Sequence, residues 1–184
     1  MGCVILLSGG LDSTVCLAIS PADACLFVDY GQPALHQERA AAAKSAERYG
    51  VPLHETQIPM ALGDMAAPAG DAGPRIVPGR NLAMISAAVS LAATIGADAV
   101  VIGASKEDRL SYPDCRPEFT FSLSLACFEA YGVAVEAPLE RMTRSEIVNL
   151  AHQHNISTKH VWSCYTPIDG KPCGTCDSCK QESP

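Results

Sequence analysis

The amino-acid sequence predicts an α/β protein built on a doubly wound, mainly parallel sheet. Short apolar runs, typical of buried parallel strands, alternate with longer segments of helical period along most of the chain. A glycine-rich turn, residues 8–13, joins the first apolar run to the first helix. In sheets of this class, turns at the carboxyl ends of the strands form the ligand sites.

In the first half, the sequence predicts strands at 3–7, 24–29 and 53–58, with helices at 14–19 and 34–49. Pro33 suits the first position of the second helix, where its missing N–H is not needed. Gly50 is expected to end this helix, because glycine tolerates the left-handed conformation found there. The segment 60–78 is rich in Gly, Pro, Ala and Asp and is expected to be a mobile loop near an active site.

In the second half, the sequence predicts helices at 81–95, 117–131 and 144–154, and strands at 97–103 and 133–136. Residues 105–113 are expected to form a polar loop. Gly132 is expected to end the helix at 117–131. Thr143 and Glu146 have the spacing of a capping box, which predicts the start of the last helix. A cysteine-rich tail, 160–184, is expected to belong to the same single domain, 1–184.

Composition and charge exclude several classes of protein. The chain has 184 residues, 48% of them hydrophobic, and a net charge of −7 from 13 basic and 20 acidic residues. This balance disfavours broad binding to nucleic acid or to a membrane surface, both of which require a basic face. The sequence shows no membrane-spanning apolar run and no basic segment before the first strand, so we expect a cytoplasmic protein.

The turn at 8–13 reads Ser-Gly-Gly-Leu-Asp-Ser and suits a phosphate group. Backbone N–H groups and the helix dipole favour an anion at a helix N-terminus, and adjacent glycines let the ligand approach the backbone. No lysine stands where a Walker A loop needs one, and the glycine spacing is not that of a dinucleotide-binding turn.

These six residues resemble the pyrophosphate loop of the ATP pyrophosphatases, which share a Rossmann-like fold of the adenine nucleotide alpha hydrolase type. The resemblance implies cleavage of ATP between its α and β phosphates and adenylation of a substrate oxygen. Asp12 is then expected to hold Mg²⁺ on the pyrophosphate, because a hard dication prefers oxygen ligands. The residues expected to bind ATP are Leu7, Ser8, Gly9, Gly10, Leu11, Asp12, Ser13, Thr14, Val15, Cys16 and Leu17.

Four of the nine cysteines lie close together near the C-terminus: Cys164, Cys173, Cys176 and Cys179. Four thiolates at short spacings predict a tetrahedral Zn²⁺ site, and a site with four cysteine ligands has a structural role. Disulfides and an iron–sulfur cluster are the alternatives.

Two further segments contain candidate catalytic residues. Arg80 lies near a helix start, where a guanidinium can bind phosphate with two hydrogen bonds. Residues 112–119 read Tyr-Pro-Asp-Cys-Arg-Pro-Glu-Phe, in which two prolines stiffen the backbone that presents charged groups and a thiol. A solvated loop and helix cap is the alternative. With Asp12 and Arg80, the candidate catalytic residues are Asp114, Cys115, Arg116 and Glu118.

Together these motifs resemble the 7-cyano-7-deazaguanine synthase family. The segments 8–13, 29–32, 77–81, 112–119 and 162–165, with the three later cysteines, occur here in the family's order. The resemblance implies ATP-dependent conversion of 7-carboxy-7-deazaguanine and ammonia into the nitrile on the route to queuosine, with Zn²⁺ and a homodimer. Asp114 or Glu118 would then accept from the heterocycle, Arg116 would pair with a carboxylate or phosphate, and Cys115 could be a transient nucleophile.

Segment 103–111 departs from the family by lacking expected Asn and Gly residues, and only five residues follow Cys179. Three other functions therefore stay open. The chain could adenylate a different carboxylate, for example in a conjugation or antiphage system, or be a non-catalytic, zinc-stabilised nucleotide-binding module. A tRNA thiolation enzyme is disfavoured by the acidic charge and by the commitment of the tail cysteines to metal.

Overall fold

The structure is a computed structural model that describes residues 2–60 and 76–182. Most of the segment 60–78, predicted to be a mobile loop, lies outside these residues. Among the residues described, no helix combines the length and the apolar character needed to cross a membrane.

The sheet confirms the predicted fold class. Its strands are β1 (Cys3–Leu6), β2 (Ala22–Asp29), β3 (Leu53–Gln57), β4 (Ala99–Val101) and β5 (Ala134–Glu136). They lie in the order β3-β2-β1-β4-β5, and every pairing is parallel. In the central strand, Ile5 pairs with Cys25 on one side and Val101 on the other. The chain therefore winds outward from β1 in both directions, which opens a crevice at the carboxyl ends of β1 and β4.

The helices are α1 (Leu11–Ile19), α2 (Leu35–Tyr49), α3 (Arg80–Ile95), α4 (Asp108–Ser111), α5 (Pro117–Tyr131), α6 (Arg144–Gln153) and α7 (Asp177–Glu182). Gly50 and Gly132 end α2 and α5 in the left-handed conformation, as predicted. The Thr143–Glu146 capping box also forms as predicted at the start of α6.

Three predictions of local structure were wrong. Helix α1 begins at Leu11 rather than at residue 14, because the extended Gly10 is its N-cap. Pro33 lies before the N-cap of α2 and not at its first position. The predicted polar loop 105–113 contains α4, where the Asp108 carboxylate accepts hydrogen bonds from the backbone N–H and hydroxyl of Ser105, both at 2.8 Å.

Side chains alternate between the two faces of the sheet and build a core on each. Ile5 and Phe27 are buried on one face, under α1, α2 and α6. Val4 and Leu26 are buried on the other face, under α3 and α5. Since both faces are covered, the strands read as nearly continuous apolar runs, which explains why they were recognisable in the sequence.

Candidate functional site

A cavity of about 270 Å³ opens at the carboxyl ends of β1, β2 and β4, where the strand order reverses. Its volume is close to the lower end for small-molecule sites, roughly 300 Å³. The polar groups that line it are Ser8, Asp12, Ser13, Tyr30, Gln32, Glu38, Arg80, Asn81, Asp108, Tyr112, Cys115, Arg144, Ser163, Tyr165 and Ser178.

The loop between β1 and α1 is held tightly on two sides. Gly9 has φ 82°, and a Cβ there would lie 2.5 Å from the carbonyl oxygen of Glu38 in α2. After β4, a Cβ on Gly103 would lie 2.8 Å from the backbone nitrogen of Ser13. The N-cap residue of α1 is Gly10, which has no side chain with which to cap the helix. The positive end of α1 therefore faces the cavity in a fixed position, where an anion would be stabilised.

Asp12 lies in the first turn of α1 with its carboxylate in the cavity. Arg144 Nη1, from the start of α6, donates a 2.8 Å hydrogen bond to Asp12 Oδ1. The pKa of Asp12 is raised to about 6, chiefly by burial and also by the nearby carboxylates of Asp108 and Glu107, which together outweigh the lowering effect of Arg144. A cation bound here would therefore stabilise the ionised carboxylate.

The opposite wall is formed by the end of β2 and the starts of α2 and α3. The guanidinium of Arg80 lies over the Tyr30 ring, 5.8 Å from its centroid. Gln32 Nε2 donates a 3.0 Å hydrogen bond to Glu38 Oε2. Burial raises the pKa of the Glu38 carboxyl and raises the pKa of Tyr30 to about 12. This wall thus combines an aromatic face, a cation and a carboxyl that burial biases toward its neutral form.

Only part of segment 112–119 reaches the cavity within one chain. Tyr112 and Cys115 line it, whereas Asp114, Arg116 and Glu118 do not. Arg116 and Glu118 are exposed. The predicted substrate roles of these three charged residues therefore stay predictions, with no support from the cavity lining.

Cys115 is buried beside Asn81, whose Nδ2 lies 3.3 Å from its Sγ. Burial raises the pKa of the Cys115 thiol to about 12. A thiol, and not a thiolate, therefore faces the cavity at neutral pH, which disfavours a nucleophilic role.

The residues predicted to bind ATP fall into three groups. Those that line the cavity are Leu7, Ser8, Gly10, Leu11, Asp12 and Ser13. Gly9 packs against α2, and Thr14 donates to the Gly10 carbonyl at 2.8 Å. The others, Val15, Cys16 and Leu17, lie in the core on the α1 face of the sheet. Since α1 begins at Leu11, residues past its first turn pack under the helix and away from the crevice.

The four tail cysteines form one cluster. The Sγ atoms of Cys164, Cys173, Cys176 and Cys179 all lie within 4.8 Å of one another. Backbone N–H groups donate to two of these sulfurs, from Cys173 to Cys164 Sγ at 3.2 Å and from Cys176 to Cys173 Sγ at 3.3 Å. Burial raises the pKa of the Cys164 thiol, a penalty that a bound cation would offset. The donor set and its hydrogen bonds fit a metal site of four cysteine ligands.

Residues next to the tail cysteines build one wall of the cavity. The Trp162 backbone N–H donates to the carbonyl oxygen of Gly9 at 2.9 Å, and its indole N–H donates to the Cys164 carbonyl at 2.8 Å. Ser163, Tyr165 and Ser178 line the cavity. The metal site therefore lies beside the Ser8–Ser13 loop, although the two are about 150 residues apart in sequence.

Sequence reasoning missed Arg144 and Glu38 as cavity residues. Arg144 follows the Thr143 N-cap, and the capping box that fixes this helix start was visible in the sequence. A basic residue at that start could thus have been recognised. Glu38 had no comparable pattern, because its place in the cavity depends on how α2 packs against Gly9.

The parallel sheet, the Ser-Gly-Gly-Leu-Asp-Ser loop at its reversal point and the adjoining cysteine cluster define a protein of the PP-loop class. Family comparison gives a narrower assignment: the sequence model of the family described as "Queuosine biosynthesis protein QueC" matches residues 2–183. The chain belongs to this family, which assigns it to the enzymes of queuosine biosynthesis.

Three relatives that are similar along nearly the whole chain have the same name. The 7-cyano-7-deazaguanine synthase of Anaeromyxobacter dehalogenans is 36% identical over 205 residues, which cover 96% of this chain and 87% of the relative. The synthase of that name from Leptospira interrogans is 35% identical, covering 96% and 82%. That of Novosphingobium aromaticivorans is 37% identical, covering 96% and 86%.

Two solved structures share the fold at low sequence identity. The U34-tRNA thiolase NcsA from Methanococcus maripaludis, solved with its [4Fe-4S] cluster, has a TM-score of 0.62 and 18% identity. The match covers 92% of this chain and 61% of the thiolase chain. NMN synthetase from Francisella tularensis has a TM-score of 0.57 and 16% identity, covering 100% and 73%. At these identities the likeness concerns the fold alone.

Proposed function

We propose that this enzyme converts 7-carboxy-7-deazaguanine and ammonia to 7-cyano-7-deazaguanine, with ATP cleaved to AMP and pyrophosphate. The main support is the shared name of relatives that match 96% of the chain. The uncapped N-terminus of α1 and the Asp12 carboxylate in the same cavity support the use of ATP with Mg²⁺.

The proposed chemistry activates the same carbon twice. A carboxylate oxygen of the substrate attacks the α-phosphorus of ATP and pyrophosphate leaves; ammonia then displaces AMP to give an amide. The amide oxygen attacks the α-phosphorus of a second ATP and pyrophosphate leaves; loss of AMP and of the two N–H protons from this adduct gives the nitrile. Both substrate oxygens leave on AMP, so each nitrile requires two ATP molecules.

We assign roles to the cavity residues from their positions on its walls. The α1 N-terminus with Ser8 and Ser13 would bind the phosphates, and Asp12 would hold Mg²⁺ on the pyrophosphate. Arg80, on the opposite wall, would bind an anionic oxygen of the substrate or of the α-phosphate. Direct attack by ammonia on the carbonyl carbon of the adenylated substrate, with AMP as the leaving group, suits a site in which the Cys115 thiol is protonated.

We propose Zn²⁺ rather than an iron–sulfur cluster for the four cysteines. Sulfurs bound tetrahedrally to one Zn²⁺ at about 2.3 Å are roughly 3.8 Å apart. Cys173 Sγ and Cys179 Sγ are 3.9 Å apart, and all four sulfurs lie within 4.8 Å. A four-iron cluster would hold its cysteine sulfurs farther apart. Since all four positions around the ion are filled, the zinc would have a structural role.

The decisive experiment is mass analysis of the product after incubation with 7-carboxy-7-deazaguanine, ATP, Mg²⁺ and ammonium. We expect the nitrile, with AMP and pyrophosphate released at about two per product, and no turnover in Asp12→Asn. Formation of ADP would contradict the ATP chemistry. Turnover of another carboxylate in preference to this one would favour the diverged-ligase alternative. A cytoplasmic homodimer organised as the single domain 1–184 stays a prediction.

A further inference from the structure

We infer that Arg144 is a phosphate-binding residue. Its guanidinium would leave Asp12 and bind the polyphosphate when the metal–nucleotide complex enters the cavity. It would take the part that a lysine plays in Walker A loops, which this loop lacks. The inference rests on the proposed function in one respect, since its ligand is the pyrophosphate portion of ATP.

The first support is the position of Arg144. The Thr143–Glu146 capping box fixes the start of α6, and the Arg144 backbone N–H donates to Glu107 Oε1 at 3.2 Å. From this anchored backbone the side chain reaches Asp12, 132 residues away, with Nη1 2.8 Å from Oδ1. The guanidinium therefore lies in the cavity beside the first turn of α1, where a bound phosphate would lie.

The second support is an unpaired donor. Arg144 Nε is buried and has no hydrogen-bond partner among the described residues. A guanidinium binds phosphate through two parallel N–H groups, and Nε forms such a pair with Nη2, on the side away from Nη1. Asp12 therefore occupies one side of the group, and the other side has a buried donor that a phosphate oxygen would satisfy.

The third support is the balance of charge around Asp12. Asp108 also lines the cavity, and Glu107 lies close enough to act on Asp12 electrostatically. Without a ligand, Arg144 offsets part of this negative charge through its ion pair with Asp12. A divalent cation that binds Asp12 would displace Arg144, which would then need another anion. Pyrophosphate supplies that anion, so Arg144 should oppose binding of the cation alone and favour binding of the cation with pyrophosphate.

These opposite effects provide the test. Arg144→Gln removes the positive charge and keeps part of the side-chain length. Arg144→Lys keeps the charge but lacks the two parallel N–H groups of the guanidinium. Arg141→Gln is the matched control, because Arg141 lies three residues earlier with its side chain 91% exposed. For each holoprotein, calorimetry would measure binding of Mn²⁺ alone, as a substitute for Mg²⁺, and binding of pyrophosphate at saturating Mn²⁺. Thermal melting would establish that each variant is folded.

We expect Arg144→Gln to weaken pyrophosphate binding roughly 10- to 100-fold, the usual effect of losing a charged hydrogen-bond donor. The same variant should bind Mn²⁺ alone several-fold more tightly, and Arg144→Lys should lie between it and the wild type. The Arg141→Gln protein should match the wild type in both measurements. Loss of both affinities together in Arg144→Gln would indicate a purely structural role, and unchanged pyrophosphate affinity would exclude phosphate contact; either result overturns the inference.

The readout separates this inference from the proposed function. A wild-type protein that binds Mn²⁺–pyrophosphate as described but forms no nitrile would retain Arg144 as a phosphate ligand and refute the proposed substrate. A wild-type protein that does not bind Mn²⁺–pyrophosphate would overturn the inference itself.

Discussion

At the scale of single residues, the cavity contains side chains whose ionised form is less stable there than in water. Glu38 is an example: its carboxyl is buried and accepts a hydrogen bond from Gln32. Burial raises its pKa, so ionisation of Glu38 costs more in the folded chain than in the unfolded chain. Such residues are retained where a ligand needs them, at the expense of stability.

We therefore predict that Glu38→Gln stabilises the ligand-free protein at pH 8. For a carboxyl with a raised pKa in the folded state, stability is lost as the pH rises through that value. The gain in melting temperature should thus be largest at pH 8 and disappear toward pH 4.5. Glu47→Gln, an exposed site on the same helix, is the control and should change the melting temperature less than Glu38→Gln does. A gain independent of pH would indicate another cause.

Gly9 is a second residue whose identity is fixed by its contacts. Its φ of 82° is unfavourable for other residues, and a Cβ would lie 2.5 Å from the Glu38 carbonyl oxygen. We predict that Gly9→Ala lowers the free energy of unfolding by about 2–4 kcal/mol, from backbone strain and overpacking together. Calorimetric melting would measure this effect.

Gly132→Ala is the matched control for Gly9→Ala. Its φ of 70° is similar, but among the described residues, its two chain neighbours aside, a Cβ there would meet no atom within 4 Å, so only the backbone cost of about 1 kcal/mol should appear. Equal effects at the two glycines would show that the contact of the loop with α2 is unimportant.

At the scale of elements, patterns local in sequence were predictable and contacts between distant segments were not. The capping box and the Gly132 terminus depend on neighbouring residues, and both form as predicted. The pairing of Arg144 with Asp12 and the place of Glu38 depend on how α6 and α2 pack against the first loop. Helix α4 was missed because a serine–aspartate turn within a polar segment has no apolar period.

The cysteine tail, 160–184, connects the four-cysteine site to the cavity through direct contacts. We predict about one Zn²⁺ per chain and loss of metal together with a lower melting temperature in Cys176→Ser. Because Trp162 bonds Gly9 and Tyr165 lines the cavity, the same variant should raise KM for ATP. Metal analysis and steady-state kinetics would measure both effects. Stoichiometric zinc in the variant would show that the ligand set is wrong.

At the scale of the whole molecule, α5 presents an exposed apolar face. Phe121, Leu125 and Phe128 follow the i, i+4, i+7 spacing of one helix face and are 71%, 54% and 56% exposed. With Tyr131, 66% exposed, they present roughly 500 Å² of surface, over half of the about 800 Å² that each partner contributes to a standard interface. A helix that is apolar on several sides is usually buried, and a second copy of this chain supplies a matching apolar surface.

We predict that this face is the interface of the expected homodimer. Glu118 lies on the same side of α5, one turn before Phe121, so an interface here would also cover part of segment 112–119, whose charged residues do not reach the cavity of one chain. The double variant Phe121→Asp, Phe128→Asp should be monomeric by sedimentation velocity, with the wild type dimeric at the same concentration. Ile19→Asp, a 37% exposed apolar position on the opposite face of the sheet, is the control and should stay dimeric. A wild-type monomer at all concentrations would contradict the prediction, and a double variant that remains dimeric would place the interface elsewhere.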